Sequence, residues 1–222
     1  MSKSVYSLVL IDELVEAIDR EAYFKNTNRS NLINQILAEH FSFVTPEKRM
    51  QEIFKIVEDR VSRENEFKVQ TQLSDAMMML QSALKYKYNP TIRYGIELFR
   101  ESNEIVGELK VSFRTQNKAL IAAISDFFLI WANMEKKYIE KYFPEKKILF
   151  SIKDGKLFRK FILPREEKHR TSEMIGKAII SYIESLDKII KIYFEYIDQP
   201  EVAKRHMERA YVDYLNSEAI IV

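Results

Sequence analysis

Residues 5–10 read Val5-Tyr6-Ser7-Leu8-Val9-Leu10, an apolar run that includes β-branched and aromatic side chains. The run lacks the 3.6-residue period of a helix, so it predicts a β-strand. No second strand pattern follows before Phe41, and a lone strand leaves its backbone N–H and C=O groups unpaired. Two hydrogen-bonding partners are possible for this strand. One is the same segment of a second copy of the chain, and the other is a larger sheet elsewhere in this chain.

Two helices are predicted after this strand. The first begins at Asp12 and carries apolar residues at helical spacing, namely Leu14, Ala17, Ile18 and Ala22. A polar run at 25–28 ends it, and Asn28 can cap the second helix, whose apolar residues are Leu32, Ile33, Ile36, Leu37 and Phe41. Because a strand and two helices of this size cannot enclose a sufficient core alone, we expect the segment to dimerise.

The order strand, helix, short turn, helix resembles the ribbon-helix-helix family of dimeric DNA-binding proteins, the class of the Arc and MetJ repressors. Residues 10–19 carry the likeness at the passage from strand to helix, and residues 27–33 carry it at the start of the second helix. The resemblance covers roughly the first forty-four residues of the chain.

The resemblance implies that an antiparallel ribbon enters the major groove while the start of the second helix holds a phosphate. Alternate strand residues Tyr6, Leu8 and Leu10 then face the dimer core. The implied DNA contacts are Lys3, Val5, Ser7, Val9, Asn28, Arg29 and Ser30. Family members usually carry polar or basic side chains at the outward strand positions, so the two valines depart from the pattern. Residues 1–44 also hold more carboxylates than cations, whereas DNA-binding surfaces are usually basic.

The remainder of the chain predicts a connector helix and a larger domain. Thr45-Pro46-Glu47 is typical of a helix start, and the helix continues to about Ser62. The predicted organisation is a ribbon-helix-helix module at 1–44, a connector helix at 45–64 and an α+β domain at 65–222. The fold class is therefore α+β and predominantly helical, with about two β-hairpins.

Periodicity and turn residues predict the elements of the larger domain. Helices are expected at 73–87, from Thr115 or Gln116 to about Tyr142, at 171–197 and at 201–216. One hairpin pairs 92–98 with 105–114 through a turn at 101–103, and a second pairs 148–152 with 157–163 around Asp154-Gly155. We interpret Met77, Met78 and Met79 as core-filling residues of the first of these helices.

A basic segment runs from Lys146 to Arg170, with nine Lys or Arg residues against three acids. Such a strip can contact a nucleic-acid backbone or an acidic partner. Lysines that protect solvated strand edges explain the same pattern, and we favour that interpretation.

Composition bounds the remaining possibilities. The 222 residues include no cysteine, carry a formal net charge of +2 and are 46% hydrophobic, which is typical of a globular protein of a reducing compartment. No apolar stretch reaches transmembrane length and no secretory signal is recognised, so we expect a cytoplasmic protein. The three histidines are isolated, and no nucleotide-binding or nucleophile motif is present. We therefore expect no enzyme activity, no cofactor and no metal.

These observations lead to a ranked set of hypotheses. The first is a homodimeric DNA-binding protein and transcriptional regulator that binds duplex DNA, with a C-terminal domain for oligomerisation or sensing. The second is a dimeric scaffold that does not bind DNA, or an antitoxin-like subunit that grips another protein. An enzyme with a pocket in the larger domain comes third.

Overall fold

The computed structural model describes residues 5–41, 43–64, 66–100, 104–143, 145, 147–217 and 219–222. The predicted DNA contact Lys3, the cation Lys146 and the turn predicted at 101–103 lie outside the described residues. The chain divides into two compact units, residues 1–49 and 50–222. Within the described ranges the chain forms six α-helices and six β-strands, so the predicted α+β, predominantly helical class is confirmed.

The smaller unit is a helical hairpin of α1 (Asp12–Phe24) and α2 (Arg29–His40). The turn between them is a Schellman motif, in which Asn26 has a positive φ of 49° and Thr27 N–H donates to the Ala22 carbonyl at 2.9 Å. The predicted cap is also confirmed, because Asn28 Oδ1 accepts the Asn31 N–H at 2.9 Å.

The predicted N-terminal strand is not formed in the single chain. Residues 5–11 have no regular secondary structure, and none of the six strands includes them. The alternative that this segment completes the larger sheet is therefore wrong, since that sheet lies between Lys68 and Ile162. A strand with no neighbour gains no ladder hydrogen bonds, which is the physical reason that the isolated segment stays irregular.

Four helices belong to the larger unit or lead into it: α3 (Pro46–Glu64), α4 (Lys118–Ile139), α5 (Ser172–Glu195) and α6 (Pro200–Asn216). Capping side chains stabilise the first turns of α3 and α5, as the sequence predicts. Thr45 Oγ1 accepts the Lys48 N–H at 3.2 Å, and Thr171 Oγ1 accepts the Met174 N–H at 3.2 Å. The start of α4 lies slightly later than predicted, because Asn117 rather than Thr115 or Gln116 caps it.

One antiparallel sheet contains all six strands, in the spatial order β1-β2-β3-β4-β6-β5. The strands are β1 (Lys68–Ser74), β2 (Met77–Ala83), β3 (Thr91–Leu98), β4 (Ile105–Arg114), β5 (Phe150–Lys153) and β6 (Lys156–Ile162). Both predicted hairpins are confirmed as β3–β4 and β5–β6. Asp154 and Gly155 adopt positive φ values of 51° and 66°, as the predicted tight turn requires.

The helix predicted at 73–87 is wrong, because these residues form the end of β1, a turn and β2. Burial along β2 has a period of two, with Met78, Leu80 and Ser82 buried and their neighbours less so. Methionine and leucine favour helices intrinsically, and a short apolar run fits either period. Pairing with β1 on one side and β3 on the other makes these residues a strand, and it adds two antiparallel pairs, β1–β2 and β2–β3, to the two hairpins predicted.

The core of the larger unit lies between one face of the sheet and the helices. Tyr94 of β3, Trp131 of α4 and Ile183 of α5 are fully buried there, together with Phe54 of α3 and Tyr211 of α6. The inward residues of each strand alternate with residues on the opposite face of the sheet. That opposite face carries the polar residues of the strands.

Candidate nucleic-acid interface

Residues 5–11 form an irregular segment whose apolar side chains are mostly exposed to solvent. Val5 and Val9 are fully exposed, at 100% and 102% relative accessibility, whereas Leu8 is 62% exposed and Leu10 packs partly against the α1–α2 core. Val5 and Val9 are therefore more exposed than Leu8 and Leu10, whereas Tyr6, at 83%, does not follow this alternation. The register in which Tyr6, Leu8 and Leu10 face a dimer core and Val5, Ser7 and Val9 face outward stays a prediction, because residues 5–11 form no strand in the single chain.

The smaller unit buries very little apolar surface of its own. Its buried core consists of Ile18, Ala22 and Leu32, with Leu10 and Ile33 partly buried beside them. Many larger apolar side chains of the same unit are exposed, including Leu14, Tyr23, Phe24, Ile36, Leu37 and Phe41. Since so small a core supplies little stability, this surface is typical of a subunit that is completed by a partner.

The start of α2 brings three of the predicted contacts together. Asn28 is the N-cap, and Arg29 and Ser30 are the first two residues of the helix. A helix start leaves its first backbone N–H groups without intrahelical acceptors and carries the positive end of the helix dipole, which together suit a phosphate. The other described contacts, Val5, Ser7 and Val9, lie in the segment at 5–11. In a single chain the predicted DNA contacts therefore fall into two groups, one in this segment and one at the start of α2.

The Arg29 side chain already has a partner that the sequence did not reveal. Its Nε donates to Asp19 Oδ1 at 2.7 Å and its Nη2 to Asp19 Oδ2 at 2.5 Å, in a two-point ion pair across the helical hairpin. This hydrogen bonding lowers the pKa of Asp19 and raises the pKa of Arg29. The pair offsets much of the charge that Arg29 was expected to offer a phosphate. The sequence near either residue does not predict this ion pair, because Asp19 and Arg29 meet only when α1 and α2 pack.

The larger unit holds two buried polar clusters that sequence reasoning missed. In the first, Asp187 of α5 is fully buried and accepts hydrogen bonds from Ser82 Oγ and, at 2.7 Å, from the Tyr94 hydroxyl. Lys191 Nζ lies 2.6 Å from the other carboxylate oxygen. Burial, followed by the charge of Asp187, raises the pKa of Tyr94 well above its usual value, so its hydroxyl remains a donor. The cluster fastens α5 to strands β2 and β3.

The second cluster is an ion pair between Glu135 of α4 and Arg159 of β6, both of which are 1% exposed. Arg159 Nε lies 3.0 Å from Glu135 Oε1, and the guanidinium lies 4.4 Å from the centre of the Tyr182 ring. A second guanidinium nitrogen donates to the carbonyl oxygen of Val222 at 2.5 Å. Buried charges need such complete pairing, so this cluster is best explained as part of the core.

The basic segment at 146–170 does not form one surface. Arg159 is in the core, whereas Arg165 and Arg170 donate to backbone carbonyls of neighbouring loops. Lys168 pairs with Glu166 at 2.8 Å, and Lys160 pairs with Glu108 of β4 at 2.8 Å. The cations of this segment therefore do not line up as one continuous basic strip, and nucleic-acid binding by those on the sheet stays a prediction.

No helix among the described residues combines the length and the apolar character that crossing a membrane requires. The described side chains also include no group of three or more His, Asp or Glu residues placed to hold a metal ion. Comparisons with protein-family models, with curated proteins and with solved structures found no match to this chain.

Proposed function

We propose that the protein is a homodimeric DNA-binding protein that acts as a transcriptional regulator through an N-terminal ribbon-helix-helix module. The observation that carries the proposal is the apolar and solvent-exposed segment at 5–11, which precedes a helical hairpin with a core of three buried residues. Most apolar side chains of this segment lack contacts that would bury them, and the backbone groups of residues 5–10 lack the partners that a helix or a strand supplies. Antiparallel pairing with the same segment of a second copy supplies both.

The register of such a ribbon follows from the exposure of its side chains. Leu8 and Leu10 are the more shielded residues and turn toward the helices, where the exposed apolar residues of α2 from the second copy complete the core. Val5, Ser7 and Val9 then form the outer face of the ribbon. Ser7 can hydrogen-bond to a base edge, and the valines can contact thymine methyl groups.

Phosphate contacts provide most of the binding in this proposal. The dipole and the N–H groups at the start of α2 hold a phosphate, and the Ser30 hydroxyl adds a donor. Arg29 lies at the same place, held by Asp19. Because few side chains read bases, binding to duplex DNA is expected to depend steeply on salt and to select sequences modestly.

The test replaces Ser30 with glutamate and compares it with the neutral variant Ser30→Gln. A carboxylate in the first turn suits the helix dipole, so Ser30→Glu preserves the fold and the dimer. The same carboxylate repels a phosphate, and like charges across an interface cost several kcal/mol. We expect fluorescence anisotropy with a labelled duplex to show at least about tenfold weaker binding for Ser30→Glu than for Ser30→Gln. Equal affinities of the two variants, with both dimeric by sedimentation, would contradict the proposed phosphate site.

A second candidate is a dimeric scaffold that grips another protein rather than DNA, as an antitoxin does. Two observations favour it: Asp19 offsets the charge of Arg29, and the outward positions Val5 and Val9 are apolar and exposed. The same titration separates the candidates. A stable dimer that shows no salt-sensitive affinity for any duplex supports the scaffold.

A further inference from the structure

The second face of the six-stranded sheet is uncovered and basic. Inward residues of the strands pack on the helices, as Tyr94 does on α5 and Arg159 on α4. The residues that alternate with them point the opposite way and are exposed or half-buried. We call this side the open face. Its cations come from five of the six strands, all except β2: Lys68, Arg93, Lys110, Arg114, Lys153, Lys156 and Lys160.

The charge of the open face is strongly one-sided. Two carboxylates, Glu97 and Glu108, stand against the seven cations in the described strands. One of them, Glu108, is paired with Lys160 at 2.8 Å. The chain as a whole is nearly neutral, with a formal net charge of +2, so the excess positive charge is concentrated on this face. Such a concentration attracts polyanions.

The centre of the open face contains the best-placed cations. Arg93 of β3 is flanked by Gln81 and Ser112, and the neighbouring row runs from Gly95 through Lys110 to Phe158. The Lys110 ammonium lies 5.6 Å from the centre of the Phe158 ring and faces no carboxylate in that row. The Arg93 Nε is shielded from solvent and has no hydrogen-bond acceptor among the described residues. A rotation of this side chain toward an anion therefore breaks no hydrogen bond made by that nitrogen.

We propose that the open face binds the phosphate backbone of duplex DNA, in addition to the contact proposed for the N-terminal module. The cations reach from one edge strand, β1, to the other, β5, a distance of about 24 Å at a strand spacing of about 4.8 Å, so they suit an extended polyanion rather than a small one. Few large apolar residues interrupt them, whereas the cores of protein interfaces are apolar. Phe158 is the one aromatic ring within the described strands of this face, and sequence-tolerant binding of single strands uses successive stacked rings.

The choice of duplex DNA rests on the proposed function. A duplex held by the N-terminal module is present at a high effective concentration for a second surface on the same chain. The contact would be independent of sequence, because lysine and arginine on a flat sheet meet phosphates rather than base edges. It would therefore raise the affinity for any duplex and steepen its dependence on salt.

The experiment uses the full chain with Arg93→Gln and Lys110→Gln combined, here called the face variant. A matched control combines Lys177→Gln and Lys188→Gln, which remove the same charge from exposed positions on α5. Binding to a labelled duplex of random sequence is measured by anisotropy over a range of salt concentrations. We expect the face variant to lose about 1.8 from the slope of log K against log[salt], at about 0.9 for each lost phosphate contact, while the control keeps the original slope.

The outcomes separate this inference from the proposed function. If Ser30→Glu weakens binding while the face variant matches the control, the open face does not bind DNA and the N-terminal site stands. If the face variant weakens binding and Ser30→Glu does not, the inference stands and the proposed function fails. Loss of affinity for anionic vesicles or polyglutamate, with duplex affinity unchanged, would also overturn the inference. Circular dichroism of each variant verifies that the sheet is intact.

Discussion

Arg159 shows how one residue can be misread from its neighbours in the sequence. It lies among lysines and arginines, yet its side chain is 1% exposed and pairs with Glu135. Alternation along β6 places Leu157, Arg159 and Phe161 on the inward face, so strand geometry buries the charge. Burial raises the pKa of Glu135, and the charge of Arg159 opposes that rise. The fold therefore depends on keeping the pair complete.

Replacing Arg159 with methionine tests this dependence. The change leaves the Glu135 carboxylate buried without its partner, so we expect unfolding free energy to fall by about 3–5 kcal/mol at neutral pH. The adjacent Lys160→Met, which affects the more exposed pair with Glu108, is the control and is expected to cost less than about 1 kcal/mol. Urea titrations of the two variants measure the difference. Equal losses would show that the buried pair contributes no more than a surface pair.

The pH dependence of Arg159→Met has a definite sign. Without Arg159 the pKa of Glu135 in the folded state is expected to rise further above its unfolded value, because burial is then less opposed. A carboxyl with a raised folded pKa binds its proton more tightly in the native state, so stability is lost as the pH increases through this range. The deficit of the variant relative to the wild type should therefore shrink as the pH is lowered from neutral toward about 5. A deficit that is constant with pH would contradict this account.

At the scale of elements, the segment at 5–11 is unusual because its two faces have different expected roles. Leu8 and Leu10 are less exposed than Val5 and Val9, which are fully exposed. Adjacent residues on an extended backbone point to opposite sides, so two neighbouring substitutions can probe the two roles separately. A substitution on one side of the segment therefore serves as the matched control for a substitution on the other side.

The substitutions are Leu8→Asp and Val9→Asp. In a paired ribbon, Leu8→Asp buries a charge in the dimer core, so we expect a monomer in sedimentation velocity at micromolar concentration. Val9→Asp places the same charge on the outer face, where we expect the dimer to persist and the affinity for duplex DNA to fall. If both variants remain dimeric to the same extent, the segment does not pair in the proposed register.

At the scale of the whole molecule, the two units differ in how completely each one buries its own apolar residues. Residues 50–222 enclose a large core between the sheet and the helices, whereas residues 1–49 bury three apolar residues among the described ones. We expect a unit of the second kind to depend on association for its stability. Anything that binds only the folded state stabilises it by mass action, and a second copy of the chain is such a ligand.

Calorimetry at protein concentrations a hundredfold apart tests this difference. We expect two transitions, of which the one at lower temperature moves upward with concentration while the other stays in place. Each tenfold rise in concentration corresponds to about 1.4 kcal/mol per mole of dimer. A single transition that does not depend on concentration would show that the smaller unit is stable without a second copy. Repeating the scan with Leu8→Asp should abolish the concentration dependence.

Local chemistry in the sequence was enough to determine the helix starts at Pro46 and Ser172, the capped start of α2 and the Asp154-Gly155 turn. Each depends on residues within a few positions of one another, because capping and turn formation are short-range interactions. Tertiary structure alone decided that Met77–Ala83 is a strand, since the same apolar run fits either period until β1 and β3 pair with it. It also decided which charges are available at the candidate site. Asp19 reaches Arg29 and Glu135 reaches Arg159 only after distant segments pack, because electrostatic pairing depends on distance in space rather than on position in the chain.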